Sequence, residues 1–153
     1  MLSKSQQARL NFQHEAIDQM LVHTPPEKLS KEIQAGKWSI QENIAHLSRY
    51  QEIFIERIHL ILTGKLPAFA RYSAEEDPEF ANTRIKSYPD LMQDLKKNRQ
   101  EIIDLLDGLP DQELKKTGSH PVMGSLELTE WIEFFLLHEA HHMMTIYKLA
   151  HAK

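Results

Sequence analysis

The chain has 153 residues, the length of one domain with a real core, and its 41% hydrophobic and 26% charged content is that of an ordinary water-soluble globular protein. A net charge of −4 without a basic run excludes the electrostatic footprint of a nucleic-acid binder, and the absence of cysteine excludes a disulfide framework and a thiolate ligand or nucleophile of its own. The opening MLSKSQQARLNFQ lacks the apolar core of a signal peptide, and no run nears the roughly 18 apolar residues of a membrane span, so a cytoplasmic protein without membrane attachment is expected.

Four segments carry helical periodicity, and none shows convincing strand alternation. The first runs from about Ser5 to Val22, with Leu10, His14, Ile17 and Leu21 along one stripe, until His23-Thr24-Pro25-Pro26 stops it. Ser39-Ile40-Gln41-Glu42 then reads as a capping box that opens a second helix, ended near Thr63 by Gly64. Around that helix Gln41, Ser48, Arg49, Glu52, Glu56, His59 and Thr63 share a polar arc. Ile40, Ile44, Leu47, Ile53, Phe54, Ile58 and Ile61 fill the apolar remainder, and His46 falls among them. Residues 65–82 form a long irregular crossover. A third helix starts at Ser87-Tyr88-Pro89 and carries Leu91, Leu95, Ile102, Leu105 and Leu106 as far as Gly108. A second irregular stretch, 110–125, leads to the last helix, from about Leu126 to Ala150. Four amphipathic helices without strands predict an all-α fold, an antiparallel four-helix bundle with long crossover loops, as one domain over residues 1–153.

The last helix contains WIEFFLLHEAHH, and within it a literal H-E-x-x-H formed by His138, Glu139, Ala140, His141 and His142. His138 and His142 lie about 40° apart on one helical face, one turn apart along the axis, on the stripe of Leu128, Trp131, Phe135 and Leu149. Two buried imidazoles are costly unless each finds a partner, and a shared metal satisfies both. A metalloprotease needs a third ligand downstream; the metzincin spacing would put Gly and His where Thr145 and Lys148 stand. Glu139 turns about 100° from His138 and is expected as a solvated helix glutamate, with His141 at the flank. The third ligand must come from upstream. His46 is the first candidate and His14 the second, while His23, His59 and His151 read as surface residues and His120 as a loop residue able to fold over the bundle mouth.

GKWSIQENIAHL (36–47), followed well downstream by HPVMGSLELTEWIEFFLLHEAHH (120–142), resembles the DinB-like, or YfiT-like, superfamily of metal-binding four-helix bundles. Gly36, Trp38, Ser39, Glu42, His46 and Leu47 match the first part of the family pattern, and His138 and His142 the second; Thr145 departs from the glutamine that some relatives carry there. The resemblance covers nearly the whole chain. It implies His46, His138 and His142 as ligands of one divalent ion, zinc or nickel, and a homodimer. Characterised relatives are similar to thiol S-transferases that use low-molecular-weight thiols such as bacillithiol, to a mycothiol-dependent isomerase, and to hydrolases. The function so implied is a metal-dependent enzyme acting on a small molecule, with a thiol cosubstrate or with water. The alternative is a non-enzymatic stress-response module with a structural metal, closed by a fourth ligand for which His14 and His120 are the candidates.

Overall fold

A computed structural model describes residues 1–152. In chain order it contains α1 (Lys4–Phe12), α2 (Ala16–Leu21), α3 (Pro26–Leu29), α4 (Ile40–Leu62), α5 (Pro78–Thr83), α6 (Tyr88–Leu106), α7 (Asp111–Leu114), β1 (Thr117–His120), β2 (Gly124–Glu127) and α8 (Leu128–His151). The all-α bundle is as expected: α4, α6 and α8 are its long members, and α1 with α2 forms the fourth. Among the described residues no helix is long and apolar enough to cross a membrane.

Local signals set the long helices. Ser39 Oγ accepts from Glu42 N at 3.1 Å while the Glu42 carboxylate accepts from Ser39 N at 2.9 Å, which is the reciprocal capping box read from the sequence. Gly64 supplies the left-handed residue (φ 72°) beyond the C-terminal end of α4. Ser87 caps α6, accepting from Asp90 N at 3.3 Å.

The first helix is not continuous. A 3-10 turn over Gln13–Glu15 separates α1 from α2. At that break the Leu10 carbonyl accepts from Arg99 Nη1 at 3.0 Å, a tertiary bond in place of the next intrahelical one. Strands were not expected, yet 117–120 and 124–127 pair as an antiparallel hairpin. Its short, polar strands leave no apolar alternation to read, and their stability comes from the contacts they make. The Trp131 indole donates to Gly118 O at 3.2 Å, and the crossover pairs along β1 through Ser119 N to Pro67 O at 2.8 Å and Phe69 N to Ser119 O at 3.0 Å. Because Gly124–Glu127 is extended, α8 begins at Leu128, two residues later than expected.

Directions within the bundle follow from the cross-links. Gln41 reaches Lys86 O and Arg99 reaches Gln51, so α4 and α6 run parallel, where antiparallel neighbours were expected. Asn43 meets His142 and His46 meets His138, so α8 is antiparallel to α4. Parallel packing of two successive helices requires a connection that travels the length of the bundle, and residues 63–87 provide it. Two apolar clusters occupy the two ends. One holds Phe54, Ile58, Ile61, Ile102, Leu106, Trp131 and Phe135; the other holds Ile17, Ile40, Ile44, Leu91, Leu95, Ile146 and Leu149. Between them on α4, α6 and α8 stand His46, Arg99 and the segment His138–His142. The middle of the bundle is polar, and the site lies there.

Candidate metal centre

His46 is buried on α4, and His138 and His142 are half-buried on α8. One imidazole nitrogen from each can be chosen so that all three lie within 4.8 Å of one another. His46 Nε2 and His138 Nε2 stand 3.0 Å apart. Two nitrogens bound to one ion at about 2.0–2.1 Å are separated by roughly 3.3 Å at a tetrahedral angle and about 3.0 Å at a right angle, so this pair already has the spacing of shared ligands. Without an ion, one Nε2–H···Nε2 bond satisfies that pair and leaves the third ring out. A divalent cation accepts all three lone pairs, so the donor set fits such an ion.

The protonation states agree. Burial pulls His46 down to about 3, with His142 acting in the same sense. His138 is pulled to about 2 by burial and then by His46, and His142 to about 4 by burial and then by His141. All three rings are therefore neutral near pH 7, the form in which imidazole is a ligand.

Orientation comes from two sources. Asn43, buried three residues before His46, donates through Nδ2 to Ser39 O at 2.8 Å, which turns its Oδ1 toward His142 Nδ1 at 2.9 Å. With Nδ1 carrying the proton, His142 is left with Nε2 as its free lone pair. His46 Nδ1 and His138 Nδ1 have no such partner, and aromatic packing holds these rings instead. Trp38 and Tyr72 lie against His46 at centroid distances of 4.9 and 5.6 Å, and Tyr50 lies 4.2 Å from His138. Phe80 of α5 closes over Trp38 at 5.3 Å. The crossover thus covers a face of α4 that the helical wheel assigns to water. Arg49 is half-buried there and bonded to Asp77 at 2.7 Å.

All three histidines open onto a cleft of about 880 Å³. Its other walls are Trp38, Tyr50, Tyr72 and Arg57, the crossover from Ala70 to Glu76, and His120 with Val122 and Met123 of the hairpin. His120 therefore does stand at the mouth, on the hairpin, with its ring 5.2 Å from Phe134 and 5.6 Å from Trp131. His14 does not join the triad; it sits with Nδ1 3.4 Å from Arg99 Nη1. His23, His59, His141 and His151 are exposed.

Glu139 overturns its expectation. It is 1% exposed, ion-paired with the equally buried Arg99 of α6, and accepts from Gln13 Nε2 at 2.9 Å. The reason is that α8 packs against α4 on one side and against α1 and α2 on another, so a sector 100° from His138 is covered as well. Sequence reasoning also passed over Asn43, Gln51, Arg57 and Arg99. Arg57 had a legible signal: eleven residues beyond His46 on a helix is about 20° of rotation, the same stripe. Asn43 lay within the apolar arc beside His46. Arg99 had one as well, four residues beyond Leu95 and three before Ile102 on the apolar stripe of α6, but its partners Leu10, Gln51 and Glu139 come from α1, α4 and α8.

A sequence model of the DinB superfamily matches residues 9–146. A protein of Oceanobacillus iheyensis that bears the name "Putative metal-dependent hydrolase" is 23% identical over 123 residues, covering 78% of this chain and 69% of that one. A Bacillus cereus protein of the same name is 26% identical over 133 residues, covering 87% and 72%. Among solved structures, YfiT from Bacillus subtilis superposes with a TM-score of 0.80 at 21% identity, over 97% of this chain and 88% of its own. It is described as "a probable metal-dependent hydrolase with an unusual four-helix bundle topology". The four-helix bundle protein TT2238 superposes with a TM-score of 0.68 at 18% identity, over 92% and 94%. At these identities the two structures establish the shared fold.

Proposed function

The chain belongs to the DinB superfamily, and from that premise we propose that it is a divalent-metal-dependent enzyme that hydrolyses a small molecule at His46, His138 and His142. The observation that carries this reading is the ligand count. Among the described residues the three histidines form a cluster with no fourth histidine or carboxylate, and they line a cleft large enough for a metabolite. Structural sites are closed by four protein ligands, whereas catalytic sites keep a position open. The two candidates for a closing ligand, His14 and His120, stand elsewhere. Zinc or nickel held by this set would supply Lewis acidity and lower the pKa of water at the open position.

The chain's own side chains prepare the site. Asn43 fixes the His142 tautomer, and the Trp38, Tyr50 and Tyr72 rings pack the other imidazoles and shield them from bulk water. Among the described residues lining the cleft the carboxylates are Glu75 and Glu76, both exposed. Relatives named as metal-dependent hydrolases support the reaction class. A low-molecular-weight thiol cosubstrate would use the same open position and must bring its own sulfur, since the chain has no cysteine.

Protein purified without a histidine tag should contain about one divalent ion per chain. His46→Ala should abolish that content and the metal-dependent cleavage of small amides or esters, while the exposed His59→Ala keeps both. Cobalt-loaded protein titrated with small anions and with a simple thiol should change its visible spectrum, a thiolate charge-transfer band marking the thiol reaction. A saturated spectrum indifferent to every addition would make the metal structural and defeat the enzyme reading.

A further inference from the structure

The wall of the cleft beyond Tyr50 carries a buried cation with no counter-ion among the described residues. Arg57 is 7% exposed and lines the same cleft as the histidines. Its guanidinium donates to Tyr50 Oη at 3.2 Å and to the Ala70 carbonyl at 3.1 Å. Three rings box it: Phe69 at 5.2 Å, Trp131 at 5.4 Å and Tyr50 at 5.8 Å from Cζ. Both hydrogen-bond acceptors are neutral, and a guanidinium offers five N–H groups in a fork shaped for an oxyanion.

The other arginines show how this chain treats such a group. Arg9 pairs with Glu133, Arg49 with Asp77 and Glu52, Arg84 with Glu42, and the deeply buried Arg99 with Glu139. Among the described residues Arg57 and Arg71 make no such pair, and both line the cleft. A guanidinium cannot shed its charge as a buried histidine does, so an uncompensated one is held at a cost that a ligand's negative charge would offset. Cation–π contacts lessen that cost without using the forward donors. Nearby, His120 Nδ1 accepts from Val122 N and Met123 N at 3.2 Å each, which leaves Nε2–H as the donor of its neutral ring. Of the two glutamates on the cleft, Glu75 also borders the adjoining pocket lined by Gly36, Trp38 and His142. The ring of Tyr50 bridges the two centres, 5.8 Å from the Arg57 Cζ and 4.2 Å from the His138 ring.

We infer that the cleft is specific for an anionic small molecule, whose carboxylate or phosphate docks on Arg57 while its reactive bond extends one aromatic ring away to the histidine centre. This rests on the proposed function for the identity of the reacting end, and not for the anion subsite itself. A purely architectural role for Arg57, clamping the crossover through Ala70, predicts no ligand selectivity by charge.

The test uses the full chain freed of metal by chelation, so that no anion binds through an ion. It is titrated with benzoate, phenyl phosphate and neutral benzyl alcohol, followed by backbone amide shifts and tryptophan fluorescence. Benzoate or phenyl phosphate should bind at least tenfold more tightly than benzyl alcohol, and the tighter of the two identifies the oxyanion. Arg57→Met, which keeps the apolar stem, should weaken the preferred anion about 10- to 100-fold, the scale of a charged hydrogen bond, with Arg57→Lys between. His138→Ala should lose metal and keep anion binding, which separates failure of the subsite from failure of the metal reading. Equal affinity for benzoate, phenyl phosphate and benzyl alcohol, no binding of either anion at tens of millimolar, or a folded Arg57→Met with wild-type anion affinity each overturns the proposal. The wild-type comparison decides alone if Arg57→Met does not fold.

Discussion

Replacing Glu139 by leucine should damage stability far more than its place in an H-E-x-x-H string suggests. Arg99 on α6 and Glu139 on α8 are each 1% exposed and face each other across the middle of the bundle. Arg99 also donates to Leu10 O at 3.0 Å and to Gln51 Oε1 at 3.2 Å, and Glu139 accepts from Gln13 at 2.9 Å. The pair therefore joins all four members of the bundle. Glu139→Leu strands a guanidinium in the core, and unpairing a buried charge costs about 3–5 kcal/mol. For a chain of this size each kcal/mol is roughly 2–4 °C in Tm, so the midpoint should fall by about 6–20 °C. Arg99→Met/Glu139→Leu removes both charges. It forfeits the hydrogen bonds to Leu10, Gln51 and Gln13, each worth about 1 kcal/mol, but escapes the stranded charge. The double variant should thus be more stable than Glu139→Leu alone, with a coupling energy of at least about 2 kcal/mol in the cycle. Urea unfolding of the four metal-free proteins at pH 7, followed by circular dichroism, measures it. Coupling within about 0.5 kcal/mol of zero would refute the account of this pair.

Asn43→Ala removes the acceptor on His142 Nδ1 and should weaken metal binding about 10- to 100-fold in chelator competition; Asn43→Asp should retain it, and equal affinity of Asn43→Ala and wild type would refute the tautomer argument. His14 is held down to about 4 by burial and then by the Arg99 charge, so the unfolded chain, titrating near 6.5, binds more protons between those values. Stability should therefore fall by up to about 3 kcal/mol from this residue as pH drops from 6.5 to 4, and His14→Gln should lose that component; parallel wild-type and variant stability curves across the window would contradict it. A Cβ on Gly118 would meet Phe69 Cε2 at 2.7 Å and Ile61 Cγ1 at 3.0 Å, so Gly118→Ala should cost about 1–3 kcal/mol by overpacking, and an unchanged Tm would count against the fit of the hairpin on α4.

What the sequence by itself determined is whatever depends on a helix's own period and ends. The Ser39 and Ser87 caps, the stop at Gly64, and the placement of His46, His138 and His142 on core-facing stripes follow from local rules, because capping bonds span three residues and the wheel repeats every 3.6. The tertiary structure decided which further sectors of each wheel are covered. α4 is packed by α6, α8 and α5, and α8 by α4 as well as α1 and α2, so Ser48 and Glu139 are buried despite lying off the main apolar stripes. The hairpin was invisible for a related reason: its four-residue polar strands hold through Trp131, Pro67 and Phe69, all distant in the chain or on another element. The break after α1 and the polar centre of the bundle depend on Arg99, whose place on the stripe of Leu95 and Ile102 shows its direction but not its neighbours, which come from three other helical segments. A wheel shows the direction of a side chain; only the assembled neighbours determine whether that direction leads to water, to a counter-charge or into a cleft, and that difference is what made Glu139 a core ion-pair partner and set Arg57 in the wall of the cleft.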